Sequence, residues 1–340
     1  MRALRLHIAA AVTLGAALAA SGGVAAASDY QLVQYPGAGF SGFYAQIAAA
    51  KRSIDMEMYE LRDPTAERAL AAAARRGVRV RVLLDSAYHG AEVNRSAYAY
   101  LGSRGVQVRW APAGYIFHIK ATLFDGRTAD VSTANLTSEY YSDTRDAELI
   151  DQNPVQVRAI QATFENDWSA APGGDPLEQT VQAPGLIWSP DTAHGAAEQA
   201  IASLIASARD SVEFESEELS DPVIYGALAA DARRGVSCEV VMTEDPEWDA
   251  AFEALTAAGC RVQVLADADG VLYIHEKAIL IDRGTAAQAL LIGSQNASWD
   301  SLHRNRELSV LVTDADGGGS VIAAAARAFS ADFSRARAWT

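Results

Sequence analysis

Tyr115-Ile116-Phe117-His118-Ile119-Lys120-Ala121-Thr122-Leu123-Phe124-Asp125 and Leu272-Tyr273-Ile274-His275-Glu276-Lys277-Ala278-Ile279-Leu280-Ile281-Asp282 set the same three chemical groups at the same spacing twice in one chain. Each reads as a strand, on which positions i and i+2 face the same way, so His118 is expected beside Lys120 and His275 beside Lys277. The opposite face is mostly apolar, with Glu276 interrupting it in the second stretch. An imidazole beside an ammonium is poor for burial and good for phosphate. The lysine holds a non-bridging oxygen while the histidine attacks phosphorus or handles a proton.

Further donors follow each pair. Ser132-Thr133-Ala134-Asn135 stands after the first and Gly293-Ser294-Gln295-Asn296 after the second. The hydroxyls of Thr133 and Ser294 and the amides of Asn135 and Asn296 suit the equatorial oxygens of a phosphoryl transition state. Asp146-Ala147-Glu148 and Asn305-Arg306-Glu307 come next, with Glu148 and Glu307 the candidates to sit behind each histidine and fix its tautomer. Asp125 and Asp282 are expected near strand ends as structural support. A lone His-x-Lys carries almost no information, since such pairs usually lie on a solvated strand edge. Two of them, each followed by Asp, Asn and Glu, in a chain with only six histidines, are no coincidence.

The elements that must position these groups are themselves written twice. Ser53-Ile54-Asp55-Met56-Glu57 aligns with Ser211-Val212-Glu213-Phe214-Glu215, Asp63-Pro64 with Asp221-Pro222, and Arg75-Arg76-Gly77-Val78 with Arg233-Arg234-Gly235-Val236, all at one constant offset. Alternating strands are expected over Val78–Leu84 and Val236–Val241, crossover helices over Glu67–Arg76 and Tyr225–Arg234, and further strands over Gly105–Trp110 and Gly259–Leu265. Both copies close alike, in Phe164-Glu165-Asn166-Asp167-Trp168 and Phe329-Ser330-Ala331-Asp332-Phe333. Short Val/Ile-rich strands between helices predict α/β layers on a parallel or mixed sheet. Four prolines and three glycines between Ala170 and Pro190 mark a linker. The expected organisation is a leader at 1–27, a first domain at 29–170, a linker at 171–185 and a second domain at 186–340.

The leader is read from Arg2 and Arg5, the apolar run Ile8–Ala20 and the small-residue stretch to Ala27, which together fit an export signal. The run is too short and alanine-rich for a good membrane span. A soluble, secreted or extracytoplasmic protein is expected. The chain carries a formal charge of -15, and losing the leader's two arginines makes it more negative still. Such a chain repels polyanions and lacks the basic footprint of a nucleic-acid binder. Cys238 and Cys260 are the only cysteines, each opening a valine-rich strand; the sequence leaves open whether they pair or stay as buried thiols.

The doubled His-x-Lys-x4-Asp, followed by a small residue, Ser or Thr, any residue and Asn, resembles the phospholipase D superfamily over roughly residues 40 to 335. Ser132 departs from the pattern, standing where the family usually has glycine. The resemblance implies two tandem α/β/α sandwich domains with mixed central sheets, related by a pseudo-twofold axis, with both motifs meeting in one cleft and no metal or other cofactor required. It implies a two-step mechanism in which one histidine forms a phosphohistidine and the other protonates the departing oxygen. By resemblance to secreted bacterial phospholipases, His118 is the nucleophile and His275 the general acid/base, with Lys120 and Lys277 binding the phosphate.

His89, in a polar stretch after a strand, is a candidate cleft residue; His194 reads as surface, and His303 has no counterpart in the first copy. Among the aromatics flanking the motifs, Tyr115 and Trp299 are expected at the cleft mouth, where amphipathic rings meet headgroups, while Phe117 and Tyr273 read equally as core or rim. Alternation puts Glu213, Glu215 and Glu217 on one side, giving either a solvated strand or an acidic cleft wall that would favour amine-bearing headgroups. The leading expectation is hydrolysis of the headgroup-side phosphodiester of a phospholipid at a transient membrane contact, with transfer to alcohols as an extension. A secreted nuclease and a cardiolipin-type phosphatidyl transferase are the alternatives, and a degenerate binding protein is disfavoured by the two intact motif sets. Because one chain supplies both motifs, a monomer is the default.

Overall fold

A computed structural model describes residues 28–87, 90–112, 114–171, 180–191 and 197–340. The leader stretch 1–27, His89, His194 and most of the linker lie outside the described residues.

The two copies fold into two mixed sheets with the same strand order. The first runs Tyr30–Tyr35, Thr144–Asp151, Thr128–Ser132, Lys120–Phe124, Ser53–Met58, Arg79–Leu84, Gln107–Trp110. The second runs Leu186–Ser189, Glu307–Thr313, Ala289–Gly293, Ala278–Ile281, Ser211–Glu215, Ser237–Thr243, Arg261–Leu265, with Arg337–Ala338 added at the edge. In each, the repeat's first strand pairs in parallel with the next one on one side and antiparallel with the motif strand on the other. The mixed α/β class expected from the alternation is what forms.

Local chemistry explains the crossovers. Asp63 and Asp221 cap helices Pro64–Arg75 and Pro222–Arg233, each accepting from two backbone N–H groups, with the following proline at the first helical position. Gly77 and Gly235 then take positive φ, 89° and 91°, as the chain turns into the next strand. That strand begins at Arg79 or Ser237, one residue later than the pattern suggests. Cys238 and Cys260, at the starts of neighbouring parallel strands, form a disulfide.

One apolar cluster lies within each half, under its crossover helices. A third is shared, joining Phe117, Ile119, Phe164 and Trp168 of the first half to Trp188, Ile292, Val310 and Phe329 of the second. Buried ions staple the same interface. Arg306 of the second half donates to Asp167 in the first half's closing helix at 2.8 Å, with both side chains fully buried. Arg145 of the first half pairs with Asp332 in the second half's closing helix. The closing sequences aligned above thus each supply the aspartate that receives the other half's arginine.

Candidate active site

Both motifs stand at the entrance to a strand rather than inside it, which corrects the expectation of histidine and lysine on one continuous strand. Regular pairing begins at Lys120 in the first half and at Ala278 in the second. Each approach segment is instead tied to the other half. The Arg306 N–H donates to the Ile116 carbonyl at 2.8 Å, and the His275 N–H donates to the Arg145 carbonyl at 3.1 Å. Within its own half, each is fixed from the end of the neighbouring parallel strand. The Phe117 N–H donates to Asp85 and the Ile274 N–H to Thr243, both at 2.8 Å. The lysines still turn back beside their histidines, each donating to the histidine's own carbonyl.

The carboxylates behind the histidines are exchanged between halves. Nδ1 of His118 lies 2.8 Å from Glu307, and Nδ1 of His275 lies 2.7 Å from Asp146. Burial raises the Glu307 carboxyl, but His118 and Lys120 outweigh it and hold it below the ordinary range. A carboxylate only accepts, so Nδ1 of His118 carries the proton and Nε2 keeps its lone pair. Glu148 is not the partner of either histidine. It lies two residues beyond Asp146, further into its own sheet, where Tyr35 and Gln46 donate to it. Sheet register gives the reason: Ser132 faces Glu148 as Gly293 faces Ser309, so the true counterpart of Glu307 is Asp146. The shared signal was the pair of dipeptides Arg145-Asp146 and Arg306-Glu307, an arginine for the interface and an acid for the histidine.

Thr133 and Ser294 are fully buried behind the site instead of facing substrate. The Thr133 hydroxyl donates to Asp146, and Ser294 accepts from the Leu308 N–H at 3.1 Å, so both fix the strands bearing the carboxylates. Ser301, which the repeat does not reveal, donates to Glu307 at 2.6 Å. Asp125 and Asp282 sit at strand ends with φ of 55° and 48°. They accept from the backbone N–H groups of residues 51–53 and 209–211, respectively.

A cleft of about 960 Å³ opens between the halves, lined by His118, His275, Asn135 and Asn296 together. Lys120 and Lys277 lie beneath its floor, 1% and 4% exposed. Burial drives the His118 imidazole down to about 4 despite Glu307, and the two lysines push the same way. Burial and the charge of Lys277 bring the Lys120 ammonium down to about 7. The walls are acidic and aromatic: Glu60, Asp143, Glu217, Glu218, Asp267 and Asp269 with Tyr35, Phe40, Tyr59, Tyr140, Tyr141 and Tyr273. Among the described residues that line it there is no lysine or arginine.

The aromatic expectations are corrected in part. Tyr115 packs on the shared core, and Trp299, though 55% exposed, stacks on His303 away from the lining. Phe117 is core, and Tyr273 is rim, 37% exposed. The alternating glutamates are neither a solvated strand nor a continuous wall. Glu213 is buried on Arg283, and Glu215 is buried near Glu276, Asp332 and Arg145. Of that run, only Glu217 and its neighbour Glu218 reach the cleft.

Two imidazoles that open on one cleft, each oriented by a carboxylate across the interface, over two buried lysines, make one site built from two halves. The family described as "Cardiolipin synthase, PLD-like domain" matches twice, at residues 43–168 and 201–336, and the chain belongs to this phospholipase D superfamily. Cardiolipin synthase A of Serratia proteamaculans is 27% identical over 87% of this chain and 68% of its own length. Mitochondrial cardiolipin hydrolase of Xenopus laevis is 33% identical over 38% of this chain, which spans 60% of that protein. Among solved structures, phosphatidylserine synthase of Haemophilus influenzae superposes with a TM-score of 0.68 at 13% identity, over 92% of this chain and 87% of its own. That likeness concerns the fold.

Proposed function

We propose that this chain is an exported phospholipase D-like hydrolase that cleaves the headgroup-side phosphodiester of a phospholipid. The observation that carries the reading is the exchanged pair His118–Glu307 and His275–Asp146 opening on one cleft. His118, uncharged at neutral pH and with Nε2 free, is suited to attack. Its Nε2–P bond forms as the P–O bond to the headgroup breaks, and His275 gives a proton to the departing oxygen. In the second step His275 takes a proton from water, the new P–O bond forms, and the P–N bond breaks. Lys120, Lys277 and the Asn135 and Asn296 amides surround the phosphoryl oxygens throughout.

The acidic, aromatic walls support a zwitterionic or amine-bearing headgroup and oppose a nucleic-acid strand, whose backbone needs cationic contacts along its length. The 27% identical synthase favours a second reading, transfer of the phosphatidyl group to an alcohol. Both are tested by incubating the full chain with vesicles of phosphatidylcholine, phosphatidylethanolamine or phosphatidylglycerol, and separately with single-stranded DNA, all in chelator. Phosphatidic acid from the first two lipids supports hydrolysis. A phosphatidyl-alcohol product formed in preference to phosphatidic acid supports transfer, and cleavage of DNA alone would sink the lipid reading.

A further inference from the structure

The duplicated site differs in charge beside its two lysines. Tyr59 and Glu217 stand at corresponding places beyond corresponding strands, and each reaches the lysine of its own half. The Tyr59 ring lies 5.0 Å from Lys120 Nζ and 4.7 Å from the His118 ring. Glu217 instead puts a carboxylate oxygen 2.7 Å from Lys277 Nζ, 3.1 Å from Asn296 Nδ2 and 3.5 Å from His275 Nε2. Burial pushes the Glu217 carboxyl up, but His275 and Lys277 more than offset it and hold it well below the ordinary carboxylate range. An anion therefore sits among the donors that a substrate phosphate needs. Asn296 is buried with its Oδ1 unpartnered, its amide already turned toward Glu217.

We propose that Glu217 sets the charge this site accepts, admitting singly charged phosphodiesters and rejecting doubly charged phosphomonoesters. The inference rests on the proposed function for its substrate class. A reacting phosphorus must lie against both histidines and both lysines, and Glu217 touches one member of each pair, so it borders the bound phosphoryl group. Lys277 still faces the phosphoryl group, but Glu217 offsets its charge, so Lys120 is the lysine whose charge is left for the substrate. A second negative charge on the ligand meets a fixed carboxylate in a poorly screened pocket. The other anions near the phosphate, Glu307 and Asp146, are each engaged by a histidine. Of the remaining acids that line the cleft, Glu60, Asp143, Glu218, Asp267 and Asp269, the neighbour Glu218 is raised by burial.

Charge selection has a consequence for turnover. Hydrolysis converts a diester into a monoester that is largely a dianion above pH of about 6. The carboxylate that tolerates the substrate thus expels the hydrolytic product, while a transfer product, again a diester, is not expelled.

The test compares the full chain with Glu217→Gln and Glu217→Tyr, the latter restoring the side chain of the first half. Methyl phosphate and dimethyl phosphate are measured as competitors of a chromogenic phosphodiester and, independently of turnover, by phosphorus NMR titration at pH 8 and pH 5. At pH 8 both variants should shift the preference toward methyl phosphate by tenfold or more. At pH 5, where methyl phosphate is mainly a monoanion, the shift should largely vanish. An unchanged preference at pH 8 in variants that still melt like the native chain would overturn the proposal. If the native chain turned over no phosphodiester, the proposed function would fail, yet the NMR preference would still decide for or against charge selection.

Discussion

Nδ1 of His118 in the first half is held 2.8 Å from Oε2 of Glu307 in the second, and the reverse exchange, His275 with Asp146, completes the pair. Neither half contains both members of a histidine–carboxylate pair. Asp146→Asn should lower kcat by on the order of 10²-fold or more, because the amide permits the wrong tautomer of His275. Glu148→Gln should leave kcat nearly unchanged, since Glu148 touches neither histidine. Turnover of a chromogenic phosphodiester by the two variants separates them, and equal losses would return Glu148 to the site.

In the proposed mechanism attack and leaving-group protonation occur on opposite sides of one phosphorus, which requires the two histidines to act as a unit. His118→Ala and His275→Ala should each remove turnover by on the order of 10²-fold or more. The double variant should be little worse than either, because a site without its nucleophile gains little from its acid. Two half-active single variants whose rates add up to the native rate would mean two independent sites.

The pH profile follows from burial. His118 is pushed down to about 4, so it stays uncharged, as the proposed nucleophile must, through the range where an exposed histidine would protonate. Lys120, brought down to about 7, loses its charge as pH rises past that value in the empty site. The kcat/KM profile, which reports the free enzyme, should therefore have an acid limb near 4 and a basic limb near 7. On the basic side the loss should fall on KM more than on kcat, because a bound phosphate re-protonates Lys120. An acid limb at an ordinary histidine value would show that His118 is not the buried nucleophile.

The two-half fold was legible because Ser53–Glu57 and Ser211–Glu215 repeat in place, and so do the capping pairs Asp63-Pro64 and Asp221-Pro222. His118, His275, Asn135 and Asn296 meeting in the cleft was equally readable, because each motif occurs twice. What escaped was what depends on the contact between halves. Aligning Glu148 with Glu307 looked natural by residue type, whereas the register that selects Asp146 is set by strand pairing. Thr133 and Ser294 looked like phosphate donors because a hydroxyl's direction is invisible in sequence. The glutamates from 213 to 217 alternate like an exposed strand, yet Glu215 is buried at the interface near an arginine of the other half.

Arg306 shows how far that interface reaches into the chemistry. Its guanidinium is fully buried on Asp167, with Glu57 close by, and the next residue is the carboxylate of His118. Burial and Asp167 already raise Glu57 well above its ordinary value, and Arg306 is the charge that opposes them. Arg306→Met should destabilise the chain by about 3–5 kcal/mol at pH 8, the range for breaking a buried pair by removing one partner. The sign with pH is fixed by linkage. A carboxyl whose folded pKa is raised keeps its full stability below the unfolded value of about 4.3 and loses it as pH rises through the folded value. Without Arg306 the Glu57 pKa rises further, so the deficit against the native chain should be clearly smaller at pH 5 than at pH 8. Denaturant unfolding of both proteins at the two pH values measures it, and an equal deficit at both would mean that lost packing, not unpaired charge, is the cause. Because Arg306 also anchors the strand entrance that presents Glu307, folded Arg306→Met protein should lose kcat even where its stability is nearly restored.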